Sequence, residues 1–330
     1  MRLLLGLALL SCSEPAVQSP AAPLPGPVED SSADKALGAS AFSSLGMVRI
    51  PSGVVQLGPR HGPPVEHAPQ VHSPSEFIAM PPKNIEPKPW ISLGGRGLMP
   101  RAARVDTFLI DQTEVTQAAY AEFLQQTGYR LPHVAEAWAD DDWNWSEAAA
   151  QTGKSEHPVV MVSFHDASAY CSWRNKRLPT EAEWQLAALG PRGEQRTFPW
   201  GSRYQGDKLN HGRMTEPNFD DSDGHARTAP VGSYPEGRSP YGLDDTFGNA
   251  WEYTADLRIE DWTWARHDGF GPSGEMINAR VPGPGLMVAV RGGSYYFDFR
   301  PNPGGEWGAF VPESRRKSAG FRCAADLPRQ

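Results

Sequence analysis

Short runs of apolar residues predict small strands at the start of the folded part of the chain. Residues 47–58 contain two short, mainly apolar runs on either side of a Pro-Ser-Gly turn at 51–53, which predicts two short strands. Another strand is predicted at residues 108–110, Phe-Leu-Ile. Such brief runs favour a structure of short strands joined by loops.

Three helices are predicted from N-capping residues that precede apolar residues at helical spacing. Thr116 caps the first, which carries Tyr120, Phe123 and Leu124 on one face and ends at Gly128. The other two open with capping boxes, formed by Ser163 with Asp166 and by Thr180 with Glu183.

The segment between the first two predicted helices is rich in tryptophan and aspartate. Residues 130–153 contain Trp138, Trp143 and Trp145. We interpret this segment as an insertion that forms a surface lobe.

The N-terminus has the pattern of a bacterial export signal. An apolar run at residues 3–10 follows Arg2 and is too short to span a bilayer, which needs roughly 18 apolar residues. The sequence Leu-Leu-Ser-Cys at residues 9–12 resembles the lipobox at which lipoprotein signals are cut and the cysteine is acylated. This predicts lipidation of Cys12; the alternative is an ordinary signal peptide with an incidental cysteine.

These features divide the chain into three parts. We predict a lipoprotein-type signal peptide at residues 1–11, a disordered Pro/Ala/Ser tether at 12–45 and one folded domain at 46–330. The predicted location is the bacterial cell envelope, either the periplasm or the outer membrane. The membrane is then contacted through the lipid anchor alone.

Composition and charge narrow the class of protein. The 330 residues, 39% of them hydrophobic, suffice for one large globular domain, and 33 glycines with 32 prolines favour a loop-rich fold. The net charge of -8 argues against nucleic acid as the main partner, because nucleic acid binding rewards a basic face.

The chain has three cysteines, and one of them is Cys12, the predicted lipidation site. Two cysteines remain, Cys171 and Cys323. An exported protein reaches a compartment in which such a pair can form a disulfide. Spacing alone leaves two interpretations open, a disulfide or two buried free thiols.

Seven stretches, in order over roughly residues 47–326, resemble motifs of the formylglycine-generating enzyme (sulfatase-modifying factor) family. They are Phe-Leu-Ile-Asp (108–111) with Glu-Val-Thr (114–116), His-Pro-Val-Val (157–160) with Val-Ser (162–163), Ala-Tyr-Cys-Ser-Trp (169–173), Lys-Arg-Leu-Pro-Thr-Glu-Ala-Glu-Trp (176–184), Gly-Asn-Ala-Trp-Glu (248–252), Arg-Gly-Gly-Ser-Tyr (291–295) and Gly-Phe-Arg-Cys-Ala-Ala-Asp (320–326).

The resemblance implies a fold and a disulfide. The fold is α+β, the family's variant of the C-type lectin fold, loop-rich, with short antiparallel strands and two main helices. Cys171 and Cys323 match the family's structural disulfide.

The resemblance also implies two structural calcium sites. The positions matching the first are Asp245, Gly248, Ala250 and Glu252, and those matching the second are Asn210, His211, Asp223 and His225. Carboxylate and carbonyl oxygens are the ligands that calcium prefers. The alternative is that these acidic loop residues face water.

The sequence departs from the family at the positions that bind copper. The family's oxidases hold copper(I) with two cysteines after the Gly-Gly-Ser-Tyr motif, and Phe297 and Asn302 stand at the matching positions. Because copper(I) is held by soft thiolates, copper is not expected here, nor is copper-dependent oxidation of a substrate cysteine.

Aromatic residues crowd the region that forms the substrate groove in the family's oxidases. The predicted groove consists of Trp251, Ser294, Tyr295, Tyr296, Phe297, Phe299, Arg300 and Trp307. Aromatic residues and arginine concentrate where proteins bind partners. The alternative is that they fill the core of a fold with small strands.

Three functions are therefore weighed. The favoured one is a non-catalytic binding or assembly module at the envelope, stabilised by calcium, with a protein or peptide partner. The second is an oxidoreductase of the formylglycine-generating family that acts on a protein or small substrate. The third is a calcium-dependent, lectin-like binding module.

Overall fold

The computed structural model describes the backbone of residues 46–57, 101–135, 139, 143–191, 196–212, 221–264, 280–297, 299 and 307–327. These residues form three α-helices and nine short to medium strands connected by long loops. No helix within them is long and apolar enough to cross a membrane. The predicted signal peptide, the tether and Cys12 lie outside the described residues.

Two of the three sheets are small. The first contains β1 (Met47–Ile50), β4 (Phe108–Asp111) and β9 (Ala324–Asp326), paired antiparallel in the order β1-β4-β9. The second pairs β2 (Gly53–Leu57) with β3 (Arg101–Val105), also antiparallel. The strands predicted around the Pro-Ser-Gly turn and at residues 108–110 are confirmed.

The largest sheet has four strands in the order β7-β6-β5-β8. Its long antiparallel pair is β5 (Trp251–Trp264) with β6 (Arg280–Arg291), and β7 (Trp307–Phe310) pairs antiparallel with β6. The short β8 (Ala319–Gly320) runs parallel to the start of β5.

The three helices begin at the predicted caps. Helix α1 (Gln117–Thr127) follows Thr116, whose hydroxyl accepts from the Ala119 amide, and it ends at Gly128 in the left-handed region at φ 65°. Because glycine adopts this conformation without steric cost, it ends the helix where the pattern predicts.

Helices α2 (Phe164–Trp173) and α3 (Glu181–Leu189) both carry complete capping boxes. In each, the hydroxyl of the cap accepts from the third helical amide and the acidic side chain accepts from the cap amide. The α+β class and the lectin-like architecture implied by the resemblance are confirmed.

A disulfide joins Cys171 of α2 to Cys323, just before β9, with the two Cα atoms 5.6 Å apart. Both cysteines are fully buried. The structure therefore favours the disulfide over free thiols. A bridge that spans 152 residues stabilises the fold by about 5 kcal/mol in the chain-entropy account.

The tryptophan-rich segment is part of the core in its described portion. Trp145 is buried and meets the Tyr120 ring edge-on at 6.1 Å, and Trp143 is buried as well. The interpretation as a surface lobe is therefore wrong for these two residues, because burying a large indole against α1 is favourable. Trp138 lies outside the described residues.

Candidate functional site

A turn after β6 places Phe297 among aromatic rings. Gly292 and Gly293 both have positive φ, at 95° and 71°, and a Cβ on Gly293 would lie 2.5 Å from Cζ of Phe299. The Phe297 ring meets Phe299 at 4.8 Å and Trp251 at 6.0 Å between centroids, both edge-on. The Phe297 side chain is therefore surrounded by aromatic rings in an apolar environment.

Four other residues of the predicted groove are interior. Trp251, Ser294, Tyr295 and Phe299 are each at most 1% exposed, so these four do not form an exposed groove wall. Trp251 is the first residue of β5, and the turn after β6 brings the other three beside it, since the Tyr295 amide donates to the Asn249 carbonyl at 2.9 Å. Tyr296 is part-exposed.

The structure does not describe the other side chains named in the groove and copper predictions. Arg300 and Asn302 lie beyond the described residues, as does the side chain of Trp307.

Glu252, a ligand of the first predicted calcium site, is held by Arg322. Its two carboxylate oxygens accept from Nε and Nη2 of Arg322, both at 2.7 Å, and one also accepts from Trp184 Nε1 at 2.7 Å. All three side chains are buried. A cation at this carboxylate would have to compete with a bidentate guanidinium.

Buried acidic side chains outnumber buried basic side chains around this pair. Glu114, Asp245 and Glu252 face one fully buried guanidinium, that of Arg322. Burial raises the pKa of Asp245 to about 6, although the Gly232 amide and Arg322 oppose the shift. Burial and the charge of Asp245 also raise the pKa of Glu114 well above its ordinary value. The environment would favour an added cation.

The loop that carries Gly248 and Ala250 lies directly against the second predicted site. Gly248 has φ 85°, and a Cβ there would come 2.1 Å from the Asn210 carbonyl oxygen. The Asn249 amide donates to that same carbonyl at 3.1 Å. Only glycine permits this close approach.

The second predicted calcium site has a buried oxygen without a hydrogen-bond donor. Asp223 accepts from the His211 amide at 2.7 Å and the His225 amide at 3.0 Å. Beside it, the amide nitrogen of Asn210 donates to the Asn249 side chain at 3.2 Å, while Asn210 Oδ1 is buried with no hydrogen-bond partner among the described residues. A buried amide oxygen next to a carboxylate fits a hard cation.

Neither site relies on a cluster of charged or soft ligands. Among the residues that the structure describes, no group of three or more His, Cys, Asp or Glu side chains is arranged to hold a metal ion. A cation at either place would therefore take part of its coordination from carbonyl and amide oxygens.

Residues 37–327 match the family described as "Sulfatase-modifying factor enzyme 1-like domain". The chain belongs to this family. It is 32% identical over 265 residues to the formylglycine-generating enzyme of Mus musculus, covering 68% of each chain. It is 31% identical over 260 residues to the "Inactive C-alpha-formylglycine-generating enzyme 2" of Mus musculus, covering 69% of this chain and 78% of the relative.

A solved structure shares the fold. That of PvdO from Pseudomonas aeruginosa aligns with a TM-score of 0.55 and 22% identity, covering 85% of this chain and 94% of PvdO. At this identity the likeness concerns the fold alone.

The sequence resemblance aligns Phe297 with the first copper-binding cysteine of the family. A copper(I) site needs soft donor atoms. The phenyl ring offers none, and its neighbours Trp251 and Phe299 are aromatic as well. These residues do not fit copper.

Sequence reasoning missed three functional-looking residues. Glu114, Asn249 and Arg322 all lie in motifs that carry the resemblance, yet they received no role. Asn249 has φ 54°, and its side-chain Nδ2 donates to Glu114 Oε1 at 3.0 Å. An asparagine in a Gly-Asn motif, which tolerates the left-handed region, was the available indication.

Proposed function

We propose that this chain is a non-catalytic binding module of the formylglycine-generating enzyme family, stabilised by calcium and tethered to the bacterial envelope through Cys12. The observation that carries the proposal is the aromatic packing around Phe297, at the position matching the first copper cysteine. In this proposal, the module retains the family's fold and binds a partner through its surface.

The cysteine inventory supports the absence of copper chemistry. The chain has three cysteines, and Cys171 and Cys323 are bonded to each other. The remaining one, Cys12, is the residue that carries the lipid in this proposal. The likeness to a relative named as inactive is consistent with this proposal.

Calcium has a structural role in the proposal. At the second site, Asn210 Oδ1 and the Asp223 carboxylate would hold the ion, with the carbonyls of His211 and His225. At the first, Asp245 would hold it with the carbonyls of Gly248 and Ala250, since Glu252 pairs with Arg322. Calcium supplies positive charge that holds loops together.

The partner in this proposal is a protein or peptide, and the membrane contact is the lipid on Cys12. A Cys12→Ser variant should move from the membrane fraction to the soluble fraction after cell lysis. Membrane retention of that variant would contradict the tether.

The competing function is oxidation of a substrate cysteine. The 32% identity to a formylglycine-generating enzyme favours it. To separate the two, the full chain with Cys12→Ser is incubated with copper(I), oxygen and a Cys-x-Pro-x-Arg peptide, and aldehyde is measured by mass spectrometry.

The proposed function predicts no aldehyde above a control without protein. A Phe297→Cys/Asn302→Cys variant, assayed in parallel, tests whether restored thiolates recover copper chemistry. Conversion of the peptide by the chain with Phe297 intact would overturn the proposal.

A further inference from the structure

The long antiparallel pair of the largest sheet extends well beyond its neighbouring strands. β5 has 14 residues and β6 has 12, whereas β7 has 4 and β8 has 2. β7 pairs with residues 288–291 of β6, and β8 pairs with residues 251–252 of β5. We call residues 258–264 of β5, together with residues 280–287 of β6, the distal ribbon. Among the described residues this ribbon has no third strand.

The outer edge of β5 meets the rest of the described chain only before the ribbon begins. The Ala255 amide donates to the Pro179 carbonyl at 2.8 Å, and within the described part no backbone group outside β6 pairs with residues 258–264. Leu257, at the base of the ribbon, is the one large hydrophobic side chain among those described that is exposed, at 49%. Two strands alone are marginally stable in water, and an unpaired edge can accept another strand.

The two edges of the distal ribbon differ in their capacity to pair. β6 contains Pro282 and Pro284, which have no N–H to donate. Between Glu260 and Trp262, β6 advances by three residues while β5 advances by two, so the extra residue lies on β6. Prolines and bulges are features that keep edge strands from pairing. Residues 258–264 contain no proline, and β5 therefore offers the edge that suits strand addition.

The sequence of this β5 segment also favours pairing. It contains Ile259, Trp262, Thr263 and Trp264, all residue types that are enriched in strands. Its charged residues alternate with others, because Arg258 and Glu260 are two positions apart and thus share one face of the strand. Charges on one face of an edge strand select the strand, and the register, that can pair with it.

A second copy of this chain has the charges that fit this edge. When two identical strands pair antiparallel across a two-fold axis, one residue lies opposite its own copy. With Ile259 at that centre, Arg258 of each copy lies opposite Glu260 of the other, which gives two pairs of opposite charge. A centre one residue to either side would place Arg258 opposite Arg258, or Glu260 opposite Glu260. The charges therefore specify a single register.

We propose that two copies of this chain pair antiparallel through residues 258–264 of β5, centred on Ile259. The two distal ribbons then form one continuous sheet in the order β6-β5-β5-β6 across the two-fold axis. This dimer goes beyond the proposed function, because it depends on neither copper nor calcium. A lipid on Cys12 would favour it by concentrating the chains on one membrane.

The test is sedimentation velocity of the full chain with Cys12→Ser, at concentrations up to about 1 mM. The expected result is a reversible equilibrium between monomer and dimer. Arg258→Glu and Glu260→Arg should each weaken dimerisation about tenfold or more, because both attractive pairs become repulsive. The double variant Arg258→Glu/Glu260→Arg exchanges the charges and should dimerise within about threefold of the parent.

The matched control is Arg174→Glu, which makes the same change of charge at an exposed residue after α2 and should leave dimerisation unchanged. Hydrogen–deuterium exchange gives a second readout at the backbone itself. Amides of residues 258–264 should exchange more slowly in the dimer than in the monomeric Arg258→Glu variant, because the unpaired edge becomes hydrogen-bonded. Residues 101–105 of β3 should exchange equally in both.

Three outcomes would overturn the inference. The first is a parent chain that stays monomeric, which would leave the β5 edge to a strand of another protein. The second is a pair of single variants that dimerise as the parent does, and the third is a double variant as weak as the single ones. Aldehyde formation in the oxidation assay would refute the proposed function and leave a dimer result standing.

Discussion

Two neighbouring regions of the domain have opposite chemistry. Around Phe297, the side chains are aromatic and buried, with Trp251 and Phe299 as neighbours. Around Asn249, they are polar and hydrogen-bonded, with Asn210 and Glu114 as direct partners. The sequence resemblance predicts that the first region corresponds to the family's copper position and the second to its calcium sites.

The two regions are in direct backbone contact. The Gly248 amide donates to the Gly292 carbonyl at 2.9 Å, and the Tyr295 amide donates to the Asn249 carbonyl at 2.9 Å. The scaffold around both regions is therefore intact, although one lacks metal donors at Phe297. The comparison teaches that one continuous backbone scaffold can hold a buried polar network directly beside an apolar aromatic cluster.

The largest expected effect comes from the polar region. Arg322→Met should lower the free energy of unfolding by about 3–5 kcal/mol, because Glu252 and Glu114 would be left buried without their cation. Urea denaturation measures the loss. The control is Arg104→Gln, which breaks an exposed pair with Asp106 and should cost less than about 1 kcal/mol. Equal losses would mean that the buried network is not a stabilising element.

The aromatic region should respond almost as strongly. Phe297→Ala should cost about 3 kcal/mol or more, because it leaves a cavity between Trp251 and Phe299. The part-exposed neighbour Tyr296→Ala should cost less than about 2 kcal/mol. Urea denaturation curves measure the loss of unfolding free energy in each variant. A smaller loss for Phe297→Ala than for Tyr296→Ala would contradict this prediction.

Calcium should distinguish the polar region from the aromatic one. Millimolar calcium should raise the melting temperature relative to chelator, by the equivalent of about 2.7 kcal/mol at a hundred times the dissociation constant. Asp223→Asn should reduce this response by the share of the second site, whereas Asp221→Asn, a change of an exposed carboxylate on the same loop, should leave the response unchanged. A parent protein that melts identically with calcium and with chelator contradicts the second site.

The smallest expected effect is a pH dependence at His157, on the edge of the polar loops. Burial lowers its pKa below 6.5, so the unfolded state binds the proton more readily and stability falls as pH decreases below about 6.5. The contribution is under about 1 kcal/mol, because the side chain is partly exposed. His157→Gln should flatten the melting temperature between pH 7.5 and 5.5. An unchanged slope would exclude this group.

Local features were predictable from the sequence because their rules act over a few residues. The caps at Thr116, Ser163 and Thr180 need only a hydroxyl and, for two of them, an acid three residues later. The pairing of Cys171 with Cys323 required the family resemblance, since spacing alone left free thiols open.

The buried networks were not predictable because they join distant positions. Glu252 and Arg322 lie 70 residues apart, and Asn249 and Glu114 lie 135 apart. Burial was equally hidden, since an aromatic such as Trp145 or Tyr295 suits a core and a binding surface alike. Tertiary packing, rather than residue type, decided between these interpretations.

Copper(I) titration against a competing chelator tests the central claim most directly. The full chain with Cys12→Ser is titrated beside its Phe297→Cys/Asn302→Cys derivative, and bound copper is measured. The account predicts no copper bound by the chain with Phe297, because no thiolate stands at that position. Tight, stoichiometric copper(I) binding by that chain would contradict it.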